Sequence, residues 1–195
     1  MPTEPPAIQL QLQLRRADAD DANAIADLYT EARIHAVPLM PPALHTNAED
    51  RAYVARQLQV PGVQMWIGQD DSGIVGFASI TSTWLNALYV RPDRKGEGIG
   101  TALLDLTKSL LPDGFALWVF EANTPARKLY RRHGLIELEH TDGATNEERA
   151  PDLRMAWLGS DPRAFLDAQL AEAETEVAHA TDRRDALRAA IDSLS

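Results

Sequence analysis

The stretch Leu88–Leu104, LYVRPDRKGEGIGTALL, joins an apolar segment to a helical pattern through a basic, glycine-rich turn. That order predicts a strand, a tight loop and a helix. Three alternating glycines leave the loop backbone uncovered, so its N–H groups and the unpaired donors of the first helical turn can approach an anion. Arg94 and Lys95 add positive charge at the same place. Alone, the pattern is equally compatible with a glycine-rich turn that binds nothing.

The composition describes an acidic chain of one-domain size. Its 195 residues are 45% apolar, which is enough for a substantial core. Nineteen Lys and Arg against 29 Asp and Glu leave a formal charge of −10, which disfavours nucleic acids and anionic membranes and favours an amine-bearing substrate. The absence of cysteine excludes thiolate zinc sites and an acyl-cysteine intermediate, and we expect no metal. Because no apolar run approaches the ~20 residues of a membrane span, we expect a cytoplasmic protein.

Upstream of the opening stretch, strand and helix patterns alternate. Residues 1–9 are interpreted as a flexible lead-in, and Leu10–Arg16 alternates apolar and polar residues as a half-buried strand does. A helical pattern follows, and Thr46 with Glu49 three residues later forms a capping box that predicts the start of a second helix. Three further segments are predicted strands, the first two forming a hairpin: 63–68, 74–83 and 84–90.

Downstream, the third helix ends before Pro112, and Phe115–Phe120 is apolar enough to predict a strand buried on both faces. The next stretch, residues 121–135, reads EANTPARKLYRRHGL. Asn123 or Thr124 is suited to cap a helix there, and Gly134 is suited to end it. Tyr130 lies on the apolar face of this helix, which is equally the position of an ordinary core aromatic. The closing strands are predicted at 135–140 and 153–158.

The two stretches together, in this order and about 30 residues apart, resemble the GNAT N-acetyltransferase superfamily. Its members transfer acetyl from acetyl-CoA to an amine. The acyl-CoA loop of the family reads Arg or Gln, two variable residues, Gly, one variable residue, then Gly or Ala. Here the loop is Lys95–Gly100, and Lys95 departs from the pattern. Since such a loop holds pyrophosphate mainly through backbone amides, a lysine changes little. The later family pattern is matched by Asn123, Ala126, Tyr130, Gly134 and Leu135.

The resemblance implies an α/β (α+β) fold of GNAT type, with a mixed central sheet of about seven strands and about four helices over residues 10–159. It also implies acetyl-CoA as co-substrate without a metal, and an acceptor that is either a small amine-bearing molecule or a protein amine. Coenzyme contacts are expected from the strand before the loop, from the loop itself and from the later helix. They are Leu88, Tyr89, Val90, Lys95, Gly96, Gly98, Ile99, Gly100, Thr101, Asn123, Arg127 and Tyr130.

By the same resemblance, Tyr130 donates a proton to the departing thiolate. Many relatives carry a carboxylate on the strand before the loop, but Asn86 stands in that region and cannot accept a proton as a base. Glu121, His45 and a relaying water remain alternatives for the general base. Trp84 and His45 are candidates for the wall of an acceptor pocket, although a tryptophan in a strand is more often part of the core.

The segment 160–195 lies outside the resemblance. Its apolar positions step by four and three, which predicts a long helix with a heptad seam. We expect this helix to pair with a second copy in a homodimer or to pack back on the domain. A non-catalytic acyl-CoA sensor or interaction module remains an alternative function, because the fold alone guarantees no activity. A P-loop enzyme is disfavoured, since the loop lacks the Gly-Lys-Ser/Thr sequence.

Overall fold

A computed structural model describes residues 12–194, so the predicted lead-in at 1–9 and the start of the first strand lie outside the described residues. The helices and strands alternate as the periodicity predicted. In chain order they are β1 (Gln13–Arg16), α1 (Ala22–Ile34), α2 (Asn47–Gln57), β2 (Gln64–Asp70), β3 (Gly73–Ile80), β4 (Leu85–Val90), α3 (Ile99–Leu110), β5 (Phe115–Phe120), α4 (Thr124–Arg132), β6 (Ile136–Thr141), β7 (Asp152–Trp157) and α5 (Pro162–Asp192). Short 3₁₀ turns precede α1 and follow β4.

The expected α/β fold is confirmed, and its seven strands divide into two sheets. One sheet has the order β1-β2-β3-β4 and the other the order β5-β7-β6, with every pairing inside them antiparallel. The two sheets meet at one parallel bridge, between Trp84 and Ala116. Beyond that bridge β4 and β5 diverge, so their facing edges carry backbone groups that no neighbouring strand satisfies.

The helices cover both faces of the first sheet. On one face, α3 packs against β3 and β4, and α4 contributes Tyr130 to the same cluster, which includes Val75 and Leu103. On the opposite face, α1 and α2 pack through a second cluster that includes Ile25 and Phe77. Because side chains alternate along a strand, the two faces of β4 are divided between these clusters. Leu88 and Val90 belong to the first, and Ala87 and Tyr89 to the second.

Local signals in the sequence explain where several helices begin. The capping box at Thr46 is present: its hydroxyl accepts from the Glu49 backbone N–H, and the Glu49 carboxylate accepts from the Thr46 N–H. Asn123 is the cap of α4 and accepts from the Ala126 N–H, which settles the choice between Asn123 and Thr124. Gly134 ends the same helix with φ of 79°.

The prediction that β5 is buried on both faces is wrong at one residue. Leu117 and Val119 are buried in the hydrophobic cluster that lies under α3, which we call the α3 cluster. Trp118 points to the other face of the strand and is 46% exposed. The reason is the divergence of the two sheets, because within residues 12–194 this face of β5 meets no helix beyond the first turn of α5 at Phe165. Within residues 12–194, no helix has the length and apolarity needed to cross a membrane.

Candidate active site

A cleft of about 840 Å³ occupies the space where β4 and β5 diverge. Its lining residues come from both faces of the sheet. Leu88, Leu129 and Tyr130 belong to the α3 and α4 face, whereas Ala32 and Tyr89 belong to the α1 face. The cleft therefore passes between the strands, and two ligands that approach from opposite faces can meet inside it.

The glycine-rich loop closes one end of this cleft. Gly96 and Gly98 have φ of 90° and 85°, a region that residues with a side chain rarely adopt. Gly98 is the N-cap of α3 and provides no side-chain acceptor, and the first turn of the helix holds no acidic residue. The N–H groups at the start of α3 therefore lack a helical acceptor beside the cleft, where the helix dipole is positive.

The charges around the loop are distributed differently from the sequence expectation. Arg94 is held by Asp70 and Glu97, each at 2.8 Å. The hydrogen bond from Ser72 and the contact with Arg94 lower the pKa of Asp70 to about 2, so this carboxylate stays ionised at any working pH. Lys95 and Arg132 also line the cleft, and neither forms an ion pair within the described part of the chain. These two side chains supply the free positive charge.

Tyr130 lies deep in the cleft, on the face of α4 that packs against the core. It is 7% exposed, and its hydroxyl donates to no side chain or carbonyl within residues 12–194. Burial raises the pKa of this phenol to about 12, so the hydroxyl keeps its proton throughout the neutral and moderately alkaline range. A buried, neutral hydroxyl without a protein partner is suited to donate a proton to a ligand atom.

The opposite face of the cleft carries a different set of groups. Because side chains alternate along a strand, Trp118 of β5 and Asp152 of β7 lie on the same face of the second sheet. Their neighbours Leu117 and Leu153 lie on the opposite face, in the α3 cluster. Asp152 lines the cleft, and its carboxylate accepts hydrogen bonds from the Thr141 hydroxyl and, at 3.0 Å, from the Asn146 amide. The end of α1 and the segment after it complete this wall with His35, Ala36, Leu39 and Met40.

An ion pair fixes the β6–β7 loop against α1 beside this wall. The Arg33 guanidinium lies 3.1 Å from the Glu148 carboxylate, and the two side chains are 7% and 17% exposed. The same guanidinium lies 6.0 Å from the centre of the Tyr29 ring. A buried charge pair is costly to break, since removing one partner leaves the other charge buried without a counter-charge. The loop that precedes Asp152 is thus anchored.

The loop, β4 and α4 bring most of the predicted coenzyme contacts to the cleft. They are Leu88, Tyr89, Val90, Lys95, Gly96, Gly98, Ile99, Gly100, Thr101, Asn123 and Tyr130. Arg127 does not lie on the cleft, because its guanidinium donates to the Glu121 carbonyl oxygen at 2.8 Å and pairs with Glu137 at 3.2 Å. Arg132, five residues further along α4, lines the cleft instead.

The predicted acceptor and base residues lie elsewhere. Trp84 packs with Ala116 and Phe165 where the sheets join, below the divergence that opens the cleft. His45 is half exposed and lies 3.1 Å from Glu147, away from the cleft lining. Glu121 follows β5 with an exposed side chain that does not line the cleft either.

The sequence interpretation missed Trp118, Asp152 and Arg132. A signal for Trp118 was present, since alternation places it opposite Leu117 and Val119 within an otherwise apolar strand. Asp152 begins β7 and meets β5 only through antiparallel pairing with Phe120. That long-range register is not visible in local sequence. In residues 12–194, no group of three or more His, Asp or Glu side chains is placed to hold a metal ion.

Comparisons with known proteins agree on one family. A family model for the acetyltransferase (GNAT) domain matches residues 61–135. The chain is similar to the peptidyl-lysine N-acetyltransferase YiaC of Escherichia coli, with 26% identity over 148 residues, which are 74% of this chain and 95% of YiaC. It is 34% identical over 76 residues to the peptidyl-lysine N-acetyltransferase YjaB of Salmonella typhimurium, covering 38% of this chain and 52% of that protein.

Solved structures share the fold. The structure of YncA from Salmonella typhimurium with its cofactor acetyl-CoA matches with a TM-score of 0.62 at 18% identity, and covers 77% of this chain and 95% of that one. The apo-form of YjaB from Escherichia coli, solved in solution, matches with a TM-score of 0.61 at 20% identity, and covers 76% and 99%. At 18% and 20% sequence identity, these matches support a shared fold and nothing beyond it.

Proposed function

We propose that this chain is a GNAT N-acetyltransferase that transfers the acetyl group of acetyl-CoA to a primary amine, which attacks the thioester directly. The observation that carries this proposal is the cleft that opens on both faces of the sheet. It allows coenzyme and acceptor to be bound together, and the chain has no cysteine to carry an acetyl intermediate.

The α3 face suits the coenzyme. The pyrophosphate would lie on the donors of the loop and the start of α3, with Lys95 and Arg132 neutralising its charge. The pantetheine arm would follow Leu88–Val90, where the free edge of β4 offers backbone N–H and C=O groups as a neighbouring strand would. In this position the thioester comes close to the Tyr130 hydroxyl, which protonates the departing thiolate.

The α1 face suits a cationic acceptor. Asp152 provides a carboxylate held in place by two donors, and the exposed Trp118 ring provides an aromatic surface for an ammonium group. We therefore propose Asp152, in place of Glu121 or His45, as the general base. It binds the ammonium group and takes up its proton, directly or through water, as the amine attacks. Because the named relatives act on peptidyl-lysine, we propose a lysine side chain as the acceptor.

Replacing Asp152 with Asn should raise the KM for the acceptor about tenfold, since a charge-assisted hydrogen bond is lost. It should also lower kcat, because the Asn amide cannot take up the proton of the attacking amine. The Kd for CoA, measured by calorimetry, should stay unchanged, because the coenzyme binds on the other face. Asp142→Asn is the matched control, as this exposed carboxylate accepts from the Ala144 N–H at the start of the same loop. Glu121→Gln should behave as the control does, whereas a larger effect there would return Glu121 to the site.

The activity itself is tested by following thiol release from acetyl-CoA with lysine peptides, spermidine and free amino acids as acceptors. We expect turnover with lysine peptides, and mass spectrometry should place the acetyl group on the ε-amine. Turnover restricted to the small amines would keep the reaction class and overturn the lysine assignment. Tight CoA binding without turnover on any amine would instead favour the sensor.

A further inference from the structure

The helix α5 has an apolar seam that no described part of the chain covers. Of its side chains only Phe165 is buried, whereas Leu170, Val177 and Ile191 are 58%, 66% and 64% exposed. The helix has 31 residues, and at 1.5 Å per residue it is about 46 Å long. The positions of the seam step by four and three: Leu166, Leu170, Ala173, Val177, Ala180, Arg184, Leu187, Ile191 and Leu194.

We propose that this seam pairs with α5 of a second copy of the chain in an antiparallel coiled coil. The two-fold axis crosses the helix pair between residues 178 and 179. In this register an a position of one helix faces a d position of the other. The facing pairs are Leu170 with Leu187, Val177 with Ala180, Arg184 with Ala173, and Ile191 with Leu166, one residue from each copy.

The sizes of the facing residues favour this orientation. The two alanines of the seam lie opposite larger side chains, so each layer is filled to a similar extent. Arg184 lies opposite Ala173, which leaves room for its aliphatic stem to cover the seam while the guanidinium reaches water. A parallel pair in register would instead place each residue opposite itself. Arg184 would then face Arg184, and both alanine layers would be left underfilled.

The charges beside the seam favour the same orientation. Its flanking residues are acidic in the first half, with Asp167 and Glu176, and basic in the second, with Arg183 and Arg188. In the antiparallel register Glu176 lies beside Arg183 of the second copy, and Asp167 lies beside Arg188. In a parallel pair, Arg183 would lie beside Arg188, which is a like-charge contact.

The flanking groups are available for these contacts. Within residues 12–194, Glu176, Arg183 and Arg188 take part in no ion pair, whereas Asp167 pairs at 2.9 Å with Arg163 on an exposed surface. Such an exposed intrahelical pair is worth little and can be exchanged or shared. The exposed apolar seam of α5, with its acidic first half and its basic second half, is therefore complementary to an antiparallel second copy of the same helix.

Charge reversal distinguishes the two orientations. Arg183→Glu should raise the dimer dissociation constant about tenfold in sedimentation equilibrium, because both Glu176 contacts become repulsive. The double variant Glu176→Arg, Arg183→Glu restores the attraction and should restore the wild-type constant. Tighter dimerisation of Arg183→Glu would indicate the parallel pair and overturn the proposal, as would a wild-type chain that stays monomeric at hundreds of micromolar.

Engineered cysteines give a second readout, since the chain has none of its own. Val177→Cys and Ala180→Cys are prepared as single variants and oxidised, each alone and as an equimolar mixture. In the antiparallel register residue 177 faces residue 180, so the mixture should form the mixed disulfide and each variant alone should cross-link poorly. Efficient self-linking of either variant without a mixed product would overturn the proposed register. The circular dichroism of each reduced variant shows whether α5 is still helical.

Discussion

Tyr130→Phe should lower kcat about 100-fold while leaving the Kd for CoA within a factor of two. General acid catalysis contributes at least this much when the donor is positioned by the protein. The Tyr130 hydroxyl is buried and forms no hydrogen bond within residues 12–194. Its removal therefore leaves no protein group without a hydrogen-bond partner, and the packing of the ring is retained. Stopped-flow or steady-state thiol release gives kcat, and calorimetry gives the Kd.

The pH dependence adds a check on the same residue. Burial raises the pKa of Tyr130 to about 12, so the protonated donor persists up to that pH and its ionisation cannot limit the rate below about pH 10. Any alkaline decline of kcat between pH 8 and 10 should therefore be the same in the wild type and in Tyr130→Phe. Tyr53→Phe, which removes a hydroxyl from an exposed ring on α2, is the control. An unchanged kcat in Tyr130→Phe would exclude Tyr130 as the acid.

Gly98→Val should weaken CoA binding about 100-fold. A β-branched residue is strained at φ of 85°, so the N-cap must leave its left-handed conformation and turn the adjacent N–H groups away from the pyrophosphate. The loss of two charge-assisted hydrogen bonds accounts for a change of this size. Isothermal titration of CoA measures it.

Gly62 provides an unusually close control for this variant. It has φ of 86°, and a side chain built at either glycine would meet no atom within 4 Å. Gly62 lies in the turn between α2 and β2, however, and does not line the cleft. Gly62→Val should therefore lose about 1–2 kcal/mol of stability, as Gly98→Val does, and keep its affinity for CoA. Equal affinity losses in both variants would indicate general destabilisation and exclude a specific role of the loop.

Local signals were enough to predict most of the fold and most of the residues that line the α3 face of the cleft, which we propose binds the coenzyme. The capping box at Thr46 and the cap at Asn123 act through neighbouring residues, so they are visible in the sequence. The glycine loop and Tyr130 belong to two continuous stretches. Their side chains and backbone groups meet because α3 and α4 pack on the same face of the sheet.

The proposed acceptor side could not be predicted in the same way, because it is assembled by long-range pairing. Asp152 comes to the cleft through its register with Phe120, and it is oriented by Thr141 and Asn146 from other segments. Glu121 is adjacent to the same strand end in sequence, yet its side chain is exposed outside the cleft. Arg127 was predicted correctly to lie on α4, but its ion pair with Glu137 of β6 turns it away.

The divergence of β4 and β5 has a kinetic consequence. Because the cleft is lined from both faces of the sheet, the two reactants need not pass one another to reach the thioester. We therefore expect that neither reactant has to bind first and that the steady-state rate law is sequential with random addition. We then expect desulfo-CoA to compete with acetyl-CoA alone, and an Nε-trimethyllysine peptide, whose quaternary nitrogen cannot attack, to compete with the acceptor alone. A conjugate that joins the two ligands occupies both halves of the cleft and competes with each substrate.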